Sequence, residues 1–213
     1  MWIDFSDTTT VFQETARSTP SGIGDPIGGV ADKSGNNNHL YQDTENLKPV
    51  YAAGPATGRN VSDSRMGATA PFLEFTSELT TIRTVVMVGK GVVATQQVGN
   101  EIWNFGHSSS YHWSALETGK MFDTSWSSAN IGTVTIDGSA YTRATAPCLS
   151  NNKYKTYSIE TTGNMSASRH AKDRTQGGRN YHGWCGEFVV YSTALSAGDL
   201  AAVTAYFKGK WGT

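Results

Sequence analysis

One amphipathic helix at the end of a long non-helical chain is the feature that most restricts the fold. Ser196 and Asp199 have the spacing of a capping box, and the segment 196–212 ends in a glycine after two lysines. Between these signals apolar side chains recur at helical spacing, at Leu200, Val203, Phe207 and Trp211. A helix with a single apolar stripe has to bury that stripe against another element. We therefore expect a C-terminal helix that lies on a sheet.

Short strands account for most of the remaining chain. Charged residues make up only 16% of the sequence, while it contains 23 glycines, a profile typical of many strands joined by tight turns. We predict a loop at 54–67 and strands at 2–5, 8–13, 30–32, 40–42, 49–52, 72–75, 82–88, 101–105, 111–116, 120–123, 131–136, 155–161 and 188–191. The segment 85–88 is apolar on both faces, as in the middle of a sandwich. The pattern predicts an all-β fold, a two-sheet antiparallel β-sandwich of the jelly-roll type with one C-terminal α-helix, in a single domain over residues 1–213.

The charge distribution argues against polyanionic partners. The formal net charge is −1, with no long basic or acidic run, so neither nucleic acid nor a membrane surface is an expected partner. No stretch reaches the ~20 apolar residues of a membrane span, and the chain enters a predicted strand at residue 2 without a signal-peptide pattern. We expect a protein that stays where it is made, leaves the cell by lysis, or is a segment of a longer chain.

The segment 32–39 predicts a structural turn. Gly35 and the asparagines that follow it tolerate left-handed backbone angles, and Asp32 or Ser34 can accept hydrogen bonds from neighbouring amides. Oxygen ligands for calcium are plentiful here, but the repeated acids of a calcium loop are missing. We therefore favour a turn over a metal site and expect no cofactor.

Catalytic signatures are missing from the sequence. It contains no Glu-x-Asp-x-Glu pattern, no Gly-x-Ser-x-Gly elbow, no phosphate loop and no His-Glu-x-x-His motif. The five histidines share no metal spacing. Cys148 and Cys185 are expected as buried small hydrophobes in preference to one long-range disulfide. We expect a protein that is not an enzyme.

The segment 103–130 is the strongest candidate for a binding site. Aromatic rings alternate there with Asn, Asp, His and Ser, the combination by which sugar sites stack on a ring face and satisfy the hydroxyls. The same alternation builds a sandwich core, so at least two rings of Trp103, Phe105, Tyr111 and Trp113 are expected to be buried. Trp126, which lies among Ser and Asn, is the ring expected to be exposed. The candidate ligand-binding residues are Trp126, Asp123, Asn130, Tyr111, His112 and Trp113.

A family pattern covers nearly the whole chain, in the stretches 2–13, 24–28, 32–39, 48–51, 73–75, 186–191, 195–196 and 210–212. In this order they resemble the laminin-G-like (concanavalin A-like) jelly-roll family, in the variant frequent among bacteriophage and prophage structural proteins. The resemblance implies two packed antiparallel sheets, adjacent first and last strands, and a terminal helix capping one edge. For function it implies a sandwich that hosts sugar-binding lectins, adhesion modules, glucanases and inert spacers alike.

We expect a non-catalytic, lectin-like module that binds glycan or another cell-surface ligand. By the resemblance it is displayed on a bacteriophage virion as a tail, fibre or capsid-surface component, in contact with other virion subunits; outside a virion it would be extracellular. A purely structural decoration protein that binds no sugar is the second interpretation, and a glycoside hydrolase or lyase is the third. The sequence leaves open the ligand and whether the chain forms a homo-oligomer.

Overall fold

The computed structural model describes residues 1–55, 57–65, 71–91, 105–107, 113, 120–122, 124, 129–147, 153–172 and 181–213. Within these ranges the chain forms twelve strands, a 3-10 turn at Glu45–Leu47 and one α-helix, α1, at Ala197–Trp211. The strands are β1 (Trp2–Asp4), β2 (Val11–Phe12), β3 (Gly29–Val30), β4 (Leu40–Tyr41), β5 (Val50–Ala53), β6 (Asn60–Asp63), β7 (Leu73–Gly91), β8 (Phe105–Gly106), β9 (Ile131–Ile136), β10 (Ser139–Thr142), β11 (Lys155–His170) and β12 (Gly183–Tyr191).

The described strands pair antiparallel and form a β-sandwich, which confirms the predicted fold class. The neighbours run in the order β10, β9, β11, β7, β12, β6, β5. A smaller group, β2, β3 and β4, joins the first part of β7, and β8 joins the end of β11. The long strand β7 therefore connects the two parts of the fold, since it pairs with β4 early in its course and with β12 later.

The first and last strands lie side by side, as the family resemblance implies. Trp2 is opposite Val189, and Ile3 is opposite Phe188. The helix departs from that expectation, because it covers a sheet face instead of capping an edge. Its side chains pack in one cluster with apolar residues of β6, β7 and β12. We call the face under the helix the outer face.

The segment 85–88 of β7 is buried on both faces, as predicted. Val85 and Met87 belong to the main core, whereas Val86 and Val88 lie under α1. Side chains alternate along a strand, so an apolar run of this kind fits a strand that is covered on both sides. The apolar stripe of α1 and the apolar side chains on the outer face of β7 thus shield each other from water.

Helix α1 begins and ends where the sequence predicts. The Ser196 side chain accepts a hydrogen bond from the backbone N–H of Asp199 at 3.1 Å, and Gly212 closes the helix in the left-handed conformation with φ of 68°. Phe207 and Trp211 are buried, and Leu200 and Val203 pack against the same cluster. The predicted stripe is confirmed.

Gly186 allows the helix to approach the sheet closely. The β12–β7 ladder shifts register between Cys185 and Glu187, so Gly186 lies in a bulge. A methyl group at Gly186 would come closer than 3.0 Å to three atoms of the Trp211 ring. The indole of Trp211 therefore rests on the bare backbone of β12.

Several predicted boundaries are wrong. The predicted loop at 54–67 contains β6, and the predicted strands at 72–75 and 82–88 are one strand. Of the predicted strand at 120–123, the described residues form only an isolated β-bridge at Lys120. Strand β10 was not predicted, although Asp137 and Gly138 carry positive φ angles of 48° and 95° in the two-residue turn before it. An Asp-Gly pair of this conformation is a hairpin signal in the sequence.

Replacing two glycines by alanine should have opposite effects on stability. Gly186→Ala is expected to lower the free energy of unfolding by about 1–3 kcal/mol, because the new methyl group overpacks Trp211. Gly209→Ala, in α1 with no atom within 4 Å of the added methyl group, is expected to raise it by about 0.5–1 kcal/mol. Urea unfolding of the two variants checks both signs. Equal stability of Gly186→Ala and the wild type would contradict the close contact.

Candidate functional site

A cleft of about 610 Å³ opens at one end of the outer face. It lies where the end of β12, the start of β1, the 32–39 turn and the first half of β7 meet. Its lining includes Trp2, Asn36, Ser77, Thr81, Tyr191 and Ser192. The volume lies within the roughly 300–1,000 Å³ of small-molecule sites. Because the lining also combines aromatic rings with polar side chains, we take this cleft as the candidate functional site.

The 32–39 turn forms one wall of the cleft, and its structure confirms the predicted turn. Gly35 and Asn37 have positive φ angles of 81° and 57°. The Asp32 carboxylate accepts hydrogen bonds from the backbone N–H groups of Trp2, Ser34 and Asn38 at 2.8, 2.9 and 3.2 Å. Since its oxygens are occupied by these donors and by the Ser34 hydroxyl, Asp32 has a structural role.

Asn38 fastens this wall to β7. Its Nδ2 donates to the carbonyl oxygen of Ser77 at 3.0 Å, and its Oδ1 accepts from the Ser77 backbone N–H at 3.0 Å and from the Thr76 hydroxyl at 3.1 Å. The buried side-chain amide of Asn38 therefore forms its hydrogen bonds with β7. Asn36 and Ser77, which are exposed, also line the cleft.

The indole of Trp2 is held by a buried carboxylate. Trp2 Nε1 donates to Glu187 Oε1 at 2.8 Å, and Glu187 is 0% exposed. The same carboxylate accepts hydrogen bonds from Trp211 Nε1 at 2.9 Å and from the Tyr206 hydroxyl at 3.2 Å, and Lys210 Nζ lies 2.7 Å from it. The aromatic wall of the cleft is thus anchored to both the helix and the last strand.

Two lysines and two aspartates continue this network along β1. Lys210 and Lys33 both donate to Asp4, at 2.8 and 3.0 Å, and Lys33 also donates to Asp7 at 2.7 Å. Burial disfavours the charged form of Asp4, but the hydrogen bonds from Lys210, Ser6 and Lys33 outweigh it and hold the pKa of Asp4 below its ordinary value. The hydrogen bond from Lys33, together with those from the Thr9 hydroxyl and backbone N–H, lowers the pKa of Asp7 to about 2.

The side chains that line the cleft are aromatic, aliphatic or neutral polar, and the α-amino group of Met1 donates to the Val190 carbonyl oxygen at 3.1 Å. Trp2 and Tyr191 are half-buried and supply ring surface, while Asn, Ser and Thr side chains supply hydrogen-bonding groups. Burial and the nearby charge of Asp199 raise the pKa of the Tyr191 phenol, so its hydroxyl stays a donor at neutral pH. Among the described residues that line the cleft, none is an Asp, Glu, His, Cys, Lys or Arg. Such a surface suits a neutral ligand with hydroxyl or amide groups.

The sequence-predicted site residues do not line this cleft where the structure describes them. Trp113 is 2% exposed, and its indole N–H donates to the carbonyl oxygen of Ser166 at 2.7 Å. It contacts Phe105, which is also buried, so the expectation of at least two core rings is confirmed. The role of Trp113 in ligand binding stays a prediction, and its buried ring does not line this cleft. Asn130 precedes β9 and donates to the Asn164 carbonyl oxygen, on the far side of β11 from β7. Trp126, Asp123, Tyr111 and His112 lie outside the described residues.

Sequence reasoning missed Trp2 and Tyr191 as site residues because both read as ordinary strand positions. The signal that the sequence does contain is weak: Trp2 and Tyr191 lie in strands whose alternate residues are strongly apolar. Trp2 and Tyr191 come together because β1 pairs with β12, which places residues nearly two hundred positions apart in sequence on one face of the sheet.

Metal and thiol chemistry receive no support from the described side chains. Within the described ranges no group of three His, Cys, Asp or Glu side chains could hold a metal ion. Cys185 is a free, fully buried thiol, and burial raises its pKa far above the ordinary value; Cys148 lies outside the described residues. None of the described helices combines the length and the hydropathy of a membrane-spanning segment.

Comparison of the chain with protein-family models, with curated proteins and with solved structures gave no significant match.

The Asp7–Lys33 ion pair should make stability depend on acid pH. The folded-state pKa of Asp7 is about 2 against an ordinary 3.8, so its contribution is present above about pH 4 and is lost as the pH falls toward 2. We expect the free energy of unfolding of the wild type to fall more steeply across this window than that of Asp7→Asn. Urea unfolding at closely spaced pH values measures both slopes.

The matched control is the same comparison in a Lys33→Met background. Without the ammonium group, Asp7→Asn should change the slope less, because only the hydrogen bonds from Thr9 then lower the pKa of Asp7. Equal slopes for the wild type and Asp7→Asn would contradict the ion pair.

Proposed function

We propose that this protein is a non-catalytic, lectin-like module that binds a neutral glycan in the cleft beside Trp2. The observation that carries the proposal is the combination of two half-buried aromatic rings with uncharged hydrogen-bonding side chains in one cleft. A pyranose ring has apolar C–H faces and a rim of hydroxyl groups, and it needs both kinds of partner.

Trp2 and Tyr191 contribute different groups to the proposed binding site. Lys33 Nζ lies 4.8 Å from the centroid of the Trp2 ring, so a sugar has to pack on the remaining surface of that indole. Tyr191, at the end of β12, supplies a second ring and a hydroxyl group. Asn36, Ser77 and the exposed Ser192 and Thr193 surround them with donors and acceptors.

The lack of carboxyl side chains in the described lining supports binding over catalysis. Glycoside hydrolysis needs two carboxyl groups facing each other across the bond, and the described lining offers neither. The setting on a bacteriophage virion, with release by lysis, a host-surface glycan as ligand and other virion subunits as partners, is supported by the family resemblance of the sequence.

A glycan array of the purified protein, with and without calcium, tests the proposal. We expect specific binding that Tyr191→Ala weakens by about tenfold or more, equivalent to roughly 1.4 kcal/mol, because the variant removes a ring and a hydroxyl from the cleft. Tyr141→Ala is the matched control, since Tyr141 is a half-buried strand tyrosine on the distant β9–β10 hairpin. It should leave glycan binding unchanged.

Two other outcomes separate the alternatives. Binding that survives Tyr191→Ala but disappears in Trp126→Ala would place the ligand in the central segment 103–130. No binding to any glycan, together with a stable oligomer by solution mass, would overturn the lectin proposal and favour a structural virion protein.

A further inference from the structure

A row of polar and aromatic side chains crosses the outer face at the end opposite the cleft. Trp184 of β12 is opposite Asp63 of β6 on one side and opposite Lys90 of β7 on the other. Directly opposed residues of antiparallel strands point to the same face. Lys90, Trp184 and Asp63 are therefore neighbours on the outer face.

This row contains two positively charged side chains, Arg65 and Lys90, but only one carboxylate, that of Asp63. The Arg65 guanidinium lies 4.1 Å and the Lys90 ammonium 4.8 Å from the centroid of the Trp184 ring. Arg65 forms an ion pair with Asp63. Its Nε donates to both carboxylate oxygens at 2.9 Å, and its backbone N–H donates to Oδ1 at 2.9 Å. Within the described ranges, one of the two positive charges therefore has no carboxylate partner.

That charge belongs to Lys90, which is only 6% exposed. In the part of the chain that the structure describes, its ammonium group contacts the rings of Trp184 and Tyr154 but has no carboxylate or hydrogen-bond acceptor. Burial, together with the nearby charge of Arg65, lowers the pKa of Lys90. A lysine with so little exposed surface is ordinarily paired. The Nζ of Lys90 is not among the fully buried atoms without a partner, so an ion can reach it from solvent.

We infer that this end of the outer face binds an oxyanion, a sulfate, phosphate or carboxylate group, between Lys90 and Arg65 beside the Trp184 ring. An anion would supply the acceptor that Lys90 lacks, in a charge-assisted contact. The Trp184 ring is held in place by packing, because it belongs to the apolar cluster that also contains Tyr154 and Trp211. Within that cluster Tyr154 stacks on Trp211, with ring centroids 6.2 Å apart.

This oxyanion site is separate from the glycan cleft. Trp184 and Tyr191 lie seven residues apart on β12, which is roughly 23 Å along a strand. The two ends of the outer face also differ in charge, so the inference does not rest on the proposed glycan binding.

Titration of ¹⁵N-labelled protein with sodium sulfate, at an ionic strength kept constant with sodium chloride, tests the inference. We expect a saturable shift of the Trp184 indole N–H resonance, assigned with Trp184→Phe, and apparent binding about tenfold weaker or lost in Lys90→Met. Lys172→Met is the matched control, because Lys172 also lies over an aromatic ring, 4.1 Å from the centroid of Phe72. It should leave the titration unchanged. Parallel titrations with phosphate and acetate separate tetrahedral anions from carboxylates.

A shift that rises without saturation, or one of the same size in Lys90→Met, would overturn the inference. If Lys90→Met does not fold, Arg65→Gln replaces it. Clearly weaker sulfate binding by Arg65→Gln would support the oxyanion site, and unchanged binding would overturn it.

Discussion

The buried carboxylate of Glu187 is the constraint on which the outer face depends. It is fully buried, and it is surrounded by the indole N–H groups of Trp2 and Trp211, the hydroxyl of Tyr206 and the ammonium of Lys210. A buried charge is costly unless hydrogen bonds and an opposite charge compensate it. The first strand, the last strand and the helix therefore have to meet at this point. The bulge at Gly186, one residue before, makes the meeting sterically feasible, because Trp211 lies on its backbone.

This arrangement divides the outer face into three zones. The helix covers the apolar middle, where Val86 and Val88 lie. At one end Trp2 and Tyr191 form the aromatic part of a cleft whose lining side chains carry no charge. At the other end Trp184 lies between cations. One scaffold thus offers two chemically different surfaces, and the position of each follows from where α1 begins and ends on the sheet.

Local signals predicted the elements whose causes are local. The caps of α1, the turn at Asp32 and the doubly buried run in β7 all follow from side-chain chemistry within a few residues. The hairpin at Asp137 has such a signal too, and sequence reasoning passed over it. The cleft and the cationic row were beyond prediction, because they depend on strand register: only the pairing of β12 with β1, β6 and β7 brings their residues together. The ring of Trp113 could not be assigned from alternation alone, since a core and a sugar site share that pattern.

We propose that the ligand site lies beside Trp2 and not around the central aromatic segment 103–130. The most direct measurement is a titration of ¹⁵N-labelled protein with its strongest glycan ligand, followed at the tryptophan indole N–H resonances. The account predicts a saturable shift of the Trp2 resonance and no shift of Trp113, whose indole is buried and bonded to Ser166. A saturable shift of Trp126 with Trp2 unchanged would contradict it.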